Sequence, residues 1–380
     1  MISRMPIASY PPGTRKSKVA NIPFLDLSVK DDEHRAELIN AVEKMLDHGR
    51  VVLGPEVTEF EERIASLTGR RYAIGVGSGT DALYLALRTL DLEAGDEVIT
   101  TALSWIATFN AIAACGAIPV AIDVDDEMNM DVSKLEASIT PKTKAIVAVH
   151  FNGLMCDMAA ICSIAEQYGL KVVEDAAQAI GATCDGRPSA GYGDIAALSF
   201  NAMKILRAYG DAGAVLTDDA LVRDRLCSLR YGGTVDRETC AEVSLNFRMD
   251  TIQAAMLLVN LGRLDAIIEK RRKVAASFTR QLSDVVVCPI EPSLKRHVYY
   301  VYTIRAKNRD GLRDYLQSQG VETKIYHPVP MPDQPAYAHL NLTGIPKTRQ
   351  ICSQILSLPA HEDMGEEDIE YICGAIRKYY

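Results

Sequence analysis

Apolar residues recur at two different spacings along this chain. From Ile22 onward, short apolar runs typical of buried strands alternate with windows in which apolar side chains repeat at helical spacing. Leu38, Val42 and Leu46 form one such helical stripe. The helical spacing predicts helices over residues 32–48, 55–68, 82–90, 107–115, 158–168, 219–229, 250–282, 309–319 and 365–378. The apolar runs predict strands over residues 72–75, 97–100, 118–122, 145–149, 171–174, 195–200, 213–217 and 299–305.

The alternation of strands and helices predicts the fold class. It is typical of an α/β domain in which helices cover both faces of a mostly parallel sheet. We therefore expect a three-layer α/β fold followed by a smaller α+β domain. The pattern divides the chain into a flexible leader over residues 1–21, a large domain over residues 22–265 and a small domain over residues 266–380.

Composition and charge narrow the function classes. Of the 380 residues, 48% are hydrophobic and 24% are charged, which is ordinary for a globular protein and excludes a disordered or collagen-like chain. The net charge is −9 and no basic block follows the first twenty residues, so we expect no nucleic-acid partner. An anionic substrate would have to be bound by a few placed cations.

Cysteine use and hydropathy indicate the compartment. The nine cysteines are scattered, odd in number and without metal-ligand spacing, so we expect reduced thiols and no metal centre. No apolar run approaches the length of about twenty residues that spans a bilayer. The leader is basic but contains no apolar segment of the kind found in signal peptides. These features predict a cytoplasmic protein with no membrane partner.

A glycine-containing turn, Gly77-Ser78-Gly79-Thr80, lies between a predicted strand and a predicted helix. Backbone N–H groups at a helix N-terminus bind phosphate well where glycine allows close approach. The turn is not a Rossmann fingerprint, because Thr80 occupies the third glycine position, and it is not a Walker loop, because no lysine follows. Alone, the pattern is more typical of a plain strand-to-helix connection.

An acidic residue, Asp175, stands at the end of the apolar run that contains Val172 and Val173. Ligands of open α/β sheets bind at the carboxyl ends of strands, so Asp175 is placed to contact one. A buried carboxylate there would keep a heterocyclic nitrogen protonated, because opposite charges in a dry site favour both ionised forms. The alternative is a helix N-cap, where Asp is common.

A lysine, Lys204, follows the apolar run that ends in Ser199-Phe200 and precedes a turn with Gly210 and Gly213. A lysine in such a place can lose its proton readily and form a Schiff base with an aldehyde, as pyridoxal phosphate chemistry requires. Most lysines are solvated surface charges, so Lys204 alone would not identify a catalytic site.

The phosphate turn, the acid and the lysine occur in the order found in pyridoxal-phosphate enzymes of the aspartate aminotransferase fold. The chain resembles the DegT/DnrJ/StrS family of sugar aminotransferases over nearly its whole length from Ile22. The resemblance rests on ordered segments at residues 22–27, 53–57, 77–83, 173–178, 199–204, 246–255 and 326–337. It implies a three-layer sheet of the aspartate aminotransferase type and pyridoxal 5′-phosphate as cofactor.

The resemblance implies a role for each residue around the cofactor ring. Lys204 would carry the cofactor covalently and move protons, and Asp175 would pair with the pyridine nitrogen. Gln178 would lie near the ring hydroxyl. Trp105, the single tryptophan, would stack over the ring, although a core or interface tryptophan is the alternative.

The resemblance also implies how the phosphate is held. Gly79, Thr80 and Ser199 would bind it from one subunit. Asn246 would reach the same phosphate from the neighbouring subunit, which implies an obligate homodimer with shared active sites.

Four further residues are candidates for the substrate side. Arg248 could hold the carboxylate of an amino donor or of a sugar acid through its fork of N–H groups, or it could form a structural ion pair near the dimer interface. Tyr326 and His327 belong to a matching segment, and a packed loop histidine is the alternative for His327. His150 follows a predicted strand at an edge expected to face ligand.

Several loop positions depart from the family's usual sequence. Lys204 is followed by residues 205–207, Ile-Leu-Arg, where Asn-Leu-Gly is common, and residues 201–203 replace an aromatic residue, a proline and a small residue. Asn152 and Leu154 stand where Tyr and Gln are frequent. Because loops on a rigid scaffold set specificity, these differences bear on the choice of substrate rather than on transamination.

The predicted reaction is a two-step transamination. Glutamate, by resemblance, would give its amino group to the cofactor, and a nucleotide-linked 3- or 4-keto sugar would then accept it. An aminocyclitol ketone is an alternative acceptor, and a regulator that binds the cofactor without turnover is an alternative of another class. A related deoxygenating branch has His in place of Lys204, and a Rossmann-type dehydrogenase would need the missing glycine fingerprint.

Overall fold

The computed structural model describes residues 21–236 and 238–380. The leader predicted over residues 1–21 lies outside the described residues except for its last position. The helices are α1 (Asp32–His48), α2 (Pro55–Thr68), α3 (Gly79–Arg88), α4 (Ala107–Ala114), α5 (Met158–Tyr168), α6 (Ala220–Leu229), α7 (Thr251–Leu261), α8 (Leu264–Leu282), α9 (Arg309–Ser318), α10 (Pro346–Gln354) and α11 (Glu366–Tyr379). The strands are β1 (Tyr72–Val76), β2 (Glu97–Thr101), β3 (Ile118–Ile122), β4 (Thr143–Val149), β5 (Lys171–Asp175), β6 (Thr183–Cys184), β7 (Arg187–Pro188), β8 (Ile195–Ser199), β9 (Gly213–Thr217), β10 (Lys295–Arg296), β11 (Tyr302–Arg305) and β12 (Ile355–Leu358).

Local sequence sets where the first helices begin and end. The Asp31 side chain accepts a hydrogen bond from the His34 N–H at the start of α1, and α2 begins at Pro55, whose missing N–H costs nothing there. Both helices end at glycines, Gly49 and Gly69, in the left-handed conformation with φ of 68° and 70°.

A seven-stranded sheet forms the centre, in the order β1-β9-β8-β5-β4-β2-β3. β9 runs antiparallel to both of its neighbours, and the other strands run parallel. One apolar cluster packs α2, α5 and α7 against one face, and a second packs α3, α4 and α6 against the other. The expected three-layer α/β architecture with a mostly parallel sheet is confirmed.

A third apolar cluster forms a separate, smaller core. It joins α8, α9 and α11 with the antiparallel pair β11–β12, and it also takes in Ile22. Within α8, Leu264 and Ile268 pack with the large core, whereas Val274 and Phe278 pack with the small one. The two cores therefore share one helix.

The structure adds detail to the sequence predictions at three places. The helical windows predicted over residues 250–282 form two helices, α7 and α8, which meet at 61° around the break at residues 262–263. The strand predicted over residues 299–305 begins only at Tyr302, because Tyr299 adopts a positive φ of 50°, which interrupts an extended strand. The short helix α10 and strand β12 lacked a recognised signal, since neither shows a long apolar repeat.

In the part of the chain that the structure describes, no single helix has the length and apolarity needed to cross a bilayer. The bent pair α7 and α8 meets that test only when its two helices are taken together.

Strand direction places the candidate residues together. β1, β8, β5, β4 and β2 run in the same direction, so their carboxyl ends meet at one edge of the sheet. The phosphate turn follows β1, Asp175 ends β5, Ser199 ends β8 and Trp105 follows β2. This edge is where open α/β sheets bind their ligands.

Candidate active site

One cavity of about 290 Å³ opens at this edge. Its wall includes most of the residues predicted from the sequence: Gly79, Thr80, Trp105, Asp175, Gln178, Ser199, Lys204, Tyr326 and His327. Asn246 and Arg248 are not part of the wall.

Backbone groups and glycines form one end of the cavity, which we call the cradle. It consists of Ser78, Gly79, Thr80, Ser199 and Gly213. The Ser78 hydroxyl caps α3 by accepting a hydrogen bond of 3.1 Å from the backbone N–H three residues later. A Cβ added at Gly213 would lie 2.9 Å from the Gly79 nitrogen, and one added at Gly79 would lie 2.8 Å from Ser199 Oγ. The first N–H groups of a helix bind anions, and the absence of a side chain at Gly79 leaves this end of the α3 backbone open to close approach.

Asp175 lies at the base of the cavity and is 4% exposed. Its Oδ2 accepts a hydrogen bond of 3.1 Å from Thr108 Oγ1, and its Oδ1 accepts one of 3.2 Å from the Ala177 N–H. Burial raises the pKa of this carboxyl group, while the Ala177 N–H and the positive charge of Lys204 act in the opposite direction. Asp175 has no salt-bridge partner within the described ranges, so a cationic ligand group would compensate its buried charge.

Lys204 lies on the loop between β8 and β9 and points into the same cavity. Its Nζ lies 4.3 Å from the centroid of the Tyr300 ring. Burial lowers the pKa of the amine to about 8, and the negative charge of Asp175 partly opposes this shift. A much larger share of Lys204 is therefore neutral near neutral pH than of an exposed lysine.

Gln178 is held in one orientation by the backbone. Its Oε1 accepts a hydrogen bond of 2.8 Å from the Asn152 N–H. Because the oxygen is engaged, the amide Nε2 group is the end left to donate to a ligand. This geometry suits a residue expected to contact a ring hydroxyl.

Aromatic side chains form the opposite wall and the entrance. Trp105 is 62% exposed, which excludes the core alternative for this residue. Its ring centroid lies 6.2 Å from that of His327, which in turn lies 6.0 Å from that of Tyr326. Burial and the nearby charge of Lys204 lower the pKa of His327 to about 4, so its imidazole is neutral at physiological pH.

Asn246 and Arg248 lie together outside the cavity. Asn246 is exposed, and its Oδ1 accepts a hydrogen bond of 2.7 Å from Arg248 Nε. The Arg248 guanidinium also lies over the Tyr231 ring, 4.9 Å from its centroid. Neither residue lines the cavity.

The expectation that His150 faces a ligand is wrong. The residue is fully buried, and its Nε2 lies 2.6 Å from Glu174 Oε1. Its Nδ1 accepts a hydrogen bond from the Cys156 N–H, so both ring nitrogens are engaged within the protein. Successive residues of a strand face opposite sides, and Glu174 and its partner lie on the side away from Asp175.

Three of the cavity residues that the sequence did not predict make contacts of note within the site. Thr108 fixes Asp175 and Tyr300 contacts Lys204, but both lie in ordinary helix or strand patterns that carry no signal. Asn152 had been noted only as a departure from the family's usual sequence. Its side-chain Nδ2 is buried without a hydrogen-bond partner in the described structure.

The cavity fits one cofactor. The cradle suits a phosphate, the unpaired Asp175 suits a protonated ring nitrogen and the Lys204 amine suits an aldehyde. Together with the fold, these features define a pyridoxal-phosphate-dependent enzyme of the aspartate aminotransferase type.

Comparison with known proteins specifies the family. The chain belongs to the DegT/DnrJ/EryC1/StrS aminotransferase family, whose model matches residues 32–377. It is 39% identical over 360 residues to a dTDP-3-amino-3,6-dideoxy-alpha-D-galactopyranose transaminase of Aneurinibacillus thermoaerophilus, covering 94% of this chain and 99% of the relative. It is also 39% identical over 367 residues to a protein of Geobacillus stearothermophilus named as a pleiotropic regulatory protein, covering 95% and 99%.

Solved structures agree with the fold and the cofactor. An aminotransferase of this family from Brucella abortus superposes with a TM-score of 0.91 at 37% identity, covering 94% of this chain and 99% of the other. A Bacillus subtilis structure with bound pyridoxamine phosphate superposes with a TM-score of 0.88 at 30% identity, covering 96% and 86%. The chain is thus an aminotransferase with pyridoxal 5′-phosphate as its cofactor.

Proposed function

We propose that this enzyme transfers the amino group of glutamate to a nucleotide-linked keto sugar in amino-sugar biosynthesis. The observation that carries the proposal is the convergence of Lys204, Asp175 and the cradle on one cavity. A keto group at ring position 3 is favoured over position 4 by the transaminase relative, whose name specifies a 3-amino sugar. The departures at residues 152 and 201–207 leave the individual sugar open.

Each residue of the cavity receives a role in the proposal. When bound, the cofactor supplies an aldehyde that carries the amino group and a ring that withdraws electrons. Lys204 holds the cofactor and then moves a proton to and from the carbon that bears the amino group. Asp175 keeps the ring nitrogen protonated, and Gln178 donates to the ring hydroxyl. Gly79, Thr80 and Ser199 bind the cofactor phosphate. Trp105 stacks over the cofactor ring, and Tyr326 and His327 contact the substrate.

The proposal includes a homodimer. Val243 and Leu245, close to Asn246 and Arg248, are 82% and 67% exposed, an apolar pair that a second copy of the chain would cover. In such a dimer, Asn246 would bind the phosphate of the neighbouring subunit and Arg248 the carboxylate of the donor or of a sugar acid. The two residues fit this role because their own cavity does not use them.

The proposal places the enzyme in the cytoplasm. It also keeps the predicted boundary between the large and the small domain near residue 265. The nine cysteines are all free, which is typical of a reducing compartment. Val274 is the first residue of α8 that belongs to the smaller core. This arrangement supports two domains that share α8.

Absorbance of the purified holoenzyme tests the function. We expect glutamate to abolish the visible absorption of bound pyridoxal phosphate and a nucleotide-linked 3-keto sugar to restore it. Lys204→Ala should bind cofactor without completing this cycle. Restoration only by an aminocyclitol ketone would replace the proposed acceptor. Cofactor binding without any change on adding glutamate would instead favour a regulator, as the name of the Geobacillus stearothermophilus relative suggests for that protein.

Mixed dimers test the shared site. Lys204→Ala chains and Asn246→Ala chains should each be nearly inactive alone, because each dimer then carries the same defect in both sites. Mixing and refolding them should restore about a quarter of wild-type activity, since half of the dimers would be mixed and each would have one intact site. No recovery in mixed dimers, purified through a different affinity tag on each chain, would contradict the role of Asn246.

A further inference from the structure

The Lys204 amine contacts a ring that the mechanism above does not use. Its Nζ lies 4.3 Å from the Tyr300 ring centroid, within the range of a cation–π interaction. Asp175, Asp211, Tyr326 and His327 are the other titratable groups that line the cavity. Among the groups facing Lys204, Tyr300 is the one whose aromatic face receives the amine.

The backbone of Tyr300 is fixed from both sides. Its N–H donates a hydrogen bond of 3.0 Å to the Asn152 carbonyl. Its carbonyl accepts one of 3.1 Å from Arg271 Nη1, which also reaches the Tyr299 carbonyl at 3.4 Å. Tyr299 itself adopts a positive φ of 50°. The ring therefore has a defined position under the amine.

A buried charge cluster connects Tyr300 to the lysine loop. We call it the Glu362 cluster, and it consists of Arg207, Arg271 and Glu362. Glu362 Oε2 accepts a hydrogen bond of 3.0 Å from Arg271 Nε, and its Oε1 pairs with Arg207 Nη2. Arg207 lies three residues after Lys204, and the Asn260 Nδ2 group donates 2.7 Å to its carbonyl oxygen.

These contacts form a continuous path from Lys204 through the Glu362 cluster to Tyr300. Lys204 and Arg207 share one loop, Glu362 joins Arg207 to Arg271, and Arg271 holds the Tyr300 backbone beneath Lys204. The carboxylate thus connects through Arg271 to the Tyr300 backbone, although it contacts neither the amine nor the ring. Arg207 stands at one of the positions where the sequence departs from the family's usual sequence.

We propose that the Lys204 amine lies against the face of the Tyr300 ring whenever the lysine is released from the cofactor. We propose further that the Glu362 cluster holds Tyr300 in the position that this contact requires. The inference rests on the proposed role of Lys204 as the lysine that binds the cofactor. The proton-carrying amine would stay over the Tyr300 ring instead of sampling the whole cavity. Tyr300 and Glu362 are then positioning residues.

The test uses the holoenzyme in its pyridoxamine phosphate form, in which Lys204 is free. Acetic anhydride labels neutral amines, and peptide mass spectrometry gives the pH at which Lys204 is half reactive. Tyr300→Phe keeps the ring and should keep this midpoint. Tyr300→Leu removes the ring, which stabilises the ammonium form, so the midpoint should fall by about half a pH unit. The same variant should lower kcat by roughly tenfold with little change in the KM for glutamate.

Glu362→Gln tests the second part of the proposal. The substitution keeps the shape but releases Arg271 and Arg207, so the labelling midpoint of Lys204 should fall as in Tyr300→Leu. The matched control is Glu242→Gln, because Glu242 also lies between two arginines, Arg88 and Arg225. The other partners of these arginines include Tyr84 and Thr89, which do not line the cavity. The control should leave the midpoint unchanged.

Two results would overturn the inference. Equal midpoints in Tyr300→Leu and Tyr300→Phe would show that the ring does not hold the amine. A normal midpoint in folded Glu362→Gln would show that the cluster does not hold the ring. Neither result touches the proposed function, which fails separately if Lys204→Ala completes the glutamate reaction.

Discussion

The two ends of the cavity are built by different means. The cradle consists of backbone groups and small side chains packed so closely that a single Cβ at Gly213 has no room. The lysine end consists of long side chains, in which Lys204 lies over the Tyr300 ring and Arg271 of the Glu362 cluster donates to the Tyr300 carbonyl from outside the cavity. One end therefore depends on shape, and the other depends on charge.

The difference follows from what each end must do. A phosphate has a fixed size and stays in place through the reaction, so a rigid ring of N–H donors suits it. The lysine must bind, release and move protons, so its end needs groups whose charge is tuned by burial. We expect added volume to be harmful at the cradle. At the lysine end, we expect the loss of a charge or of the ring face to be harmful even where the new side chain has a similar shape.

The largest expected effect is at the lysine end. Lys204→Met keeps a similar length but removes the amine, so turnover with glutamate should fall by at least about a thousandfold. The fold should persist, because the substitution removes a charge that burial destabilises. Single-turnover absorbance measures the first effect and urea unfolding the second. Unfolding of the variant would contradict the view that this end tolerates a neutral side chain of similar shape.

The next effect is at the cradle. Gly213→Ala adds one methyl group that would lie 2.5 Å from the carbonyl carbon of Ser78, so the turn must shift. Displaced N–H groups should weaken cofactor binding by about a hundredfold, as expected for a displacement near one ångström. Equilibrium dialysis with pyridoxal phosphate measures this affinity. The control is Gly374→Ala in α11, where nothing lies within 4 Å of the added Cβ and a small gain in stability is expected. Equal affinity of both variants would contradict the importance of shape at the cradle.

A smaller effect concerns stability at the charged end. Glu362→Gln leaves the Arg271 guanidinium, which is 3% exposed, without its carboxylate. Breaking a buried pair from one side should lower the free energy of unfolding by about 3 kcal/mol. Urea unfolding followed by circular dichroism measures the change. Glu242→Gln, whose carboxylate is more exposed, should lose less than half as much. Equal losses would show that burial does not distinguish the two clusters.

The same contrast explains how far the sequence could predict the site. The cradle, Asp175 and Lys204 follow strands, and the rule that strand ends share one edge brings them together without any knowledge of side-chain contacts. Motif order then assigned the fold and the cofactor, and the comparisons confirm both.

The charged end resisted prediction for a physical reason. Arg207, Arg271 and Glu362 are far apart in sequence, and each is an ordinary charged residue in its own segment. Their partnership exists only because α8 and the segment after β12 pack beside the lysine loop. The prediction for His150 was wrong for a different reason. Its position at the end of a strand was correct, but its side chain lies on the face occupied by Glu174. Neither outcome is encoded in local pattern or spacing.

The smallest expected effect is a shift in pH dependence. Attachment of pyridoxal phosphate to the apoprotein requires the neutral Lys204 amine, so its rate should rise with pH and reach half its maximum near pH 8, the depressed pKa of this lysine. An ordinary lysine would reach that point near pH 10.5. The negative charge of Asp175 raises the pKa of the amine, so Asp175→Asn should move the midpoint below 8. Stopped-flow absorbance across pH measures both midpoints. A midpoint in Asp175→Asn equal to or above that of the wild type would mean that charge does not tune this end of the cavity.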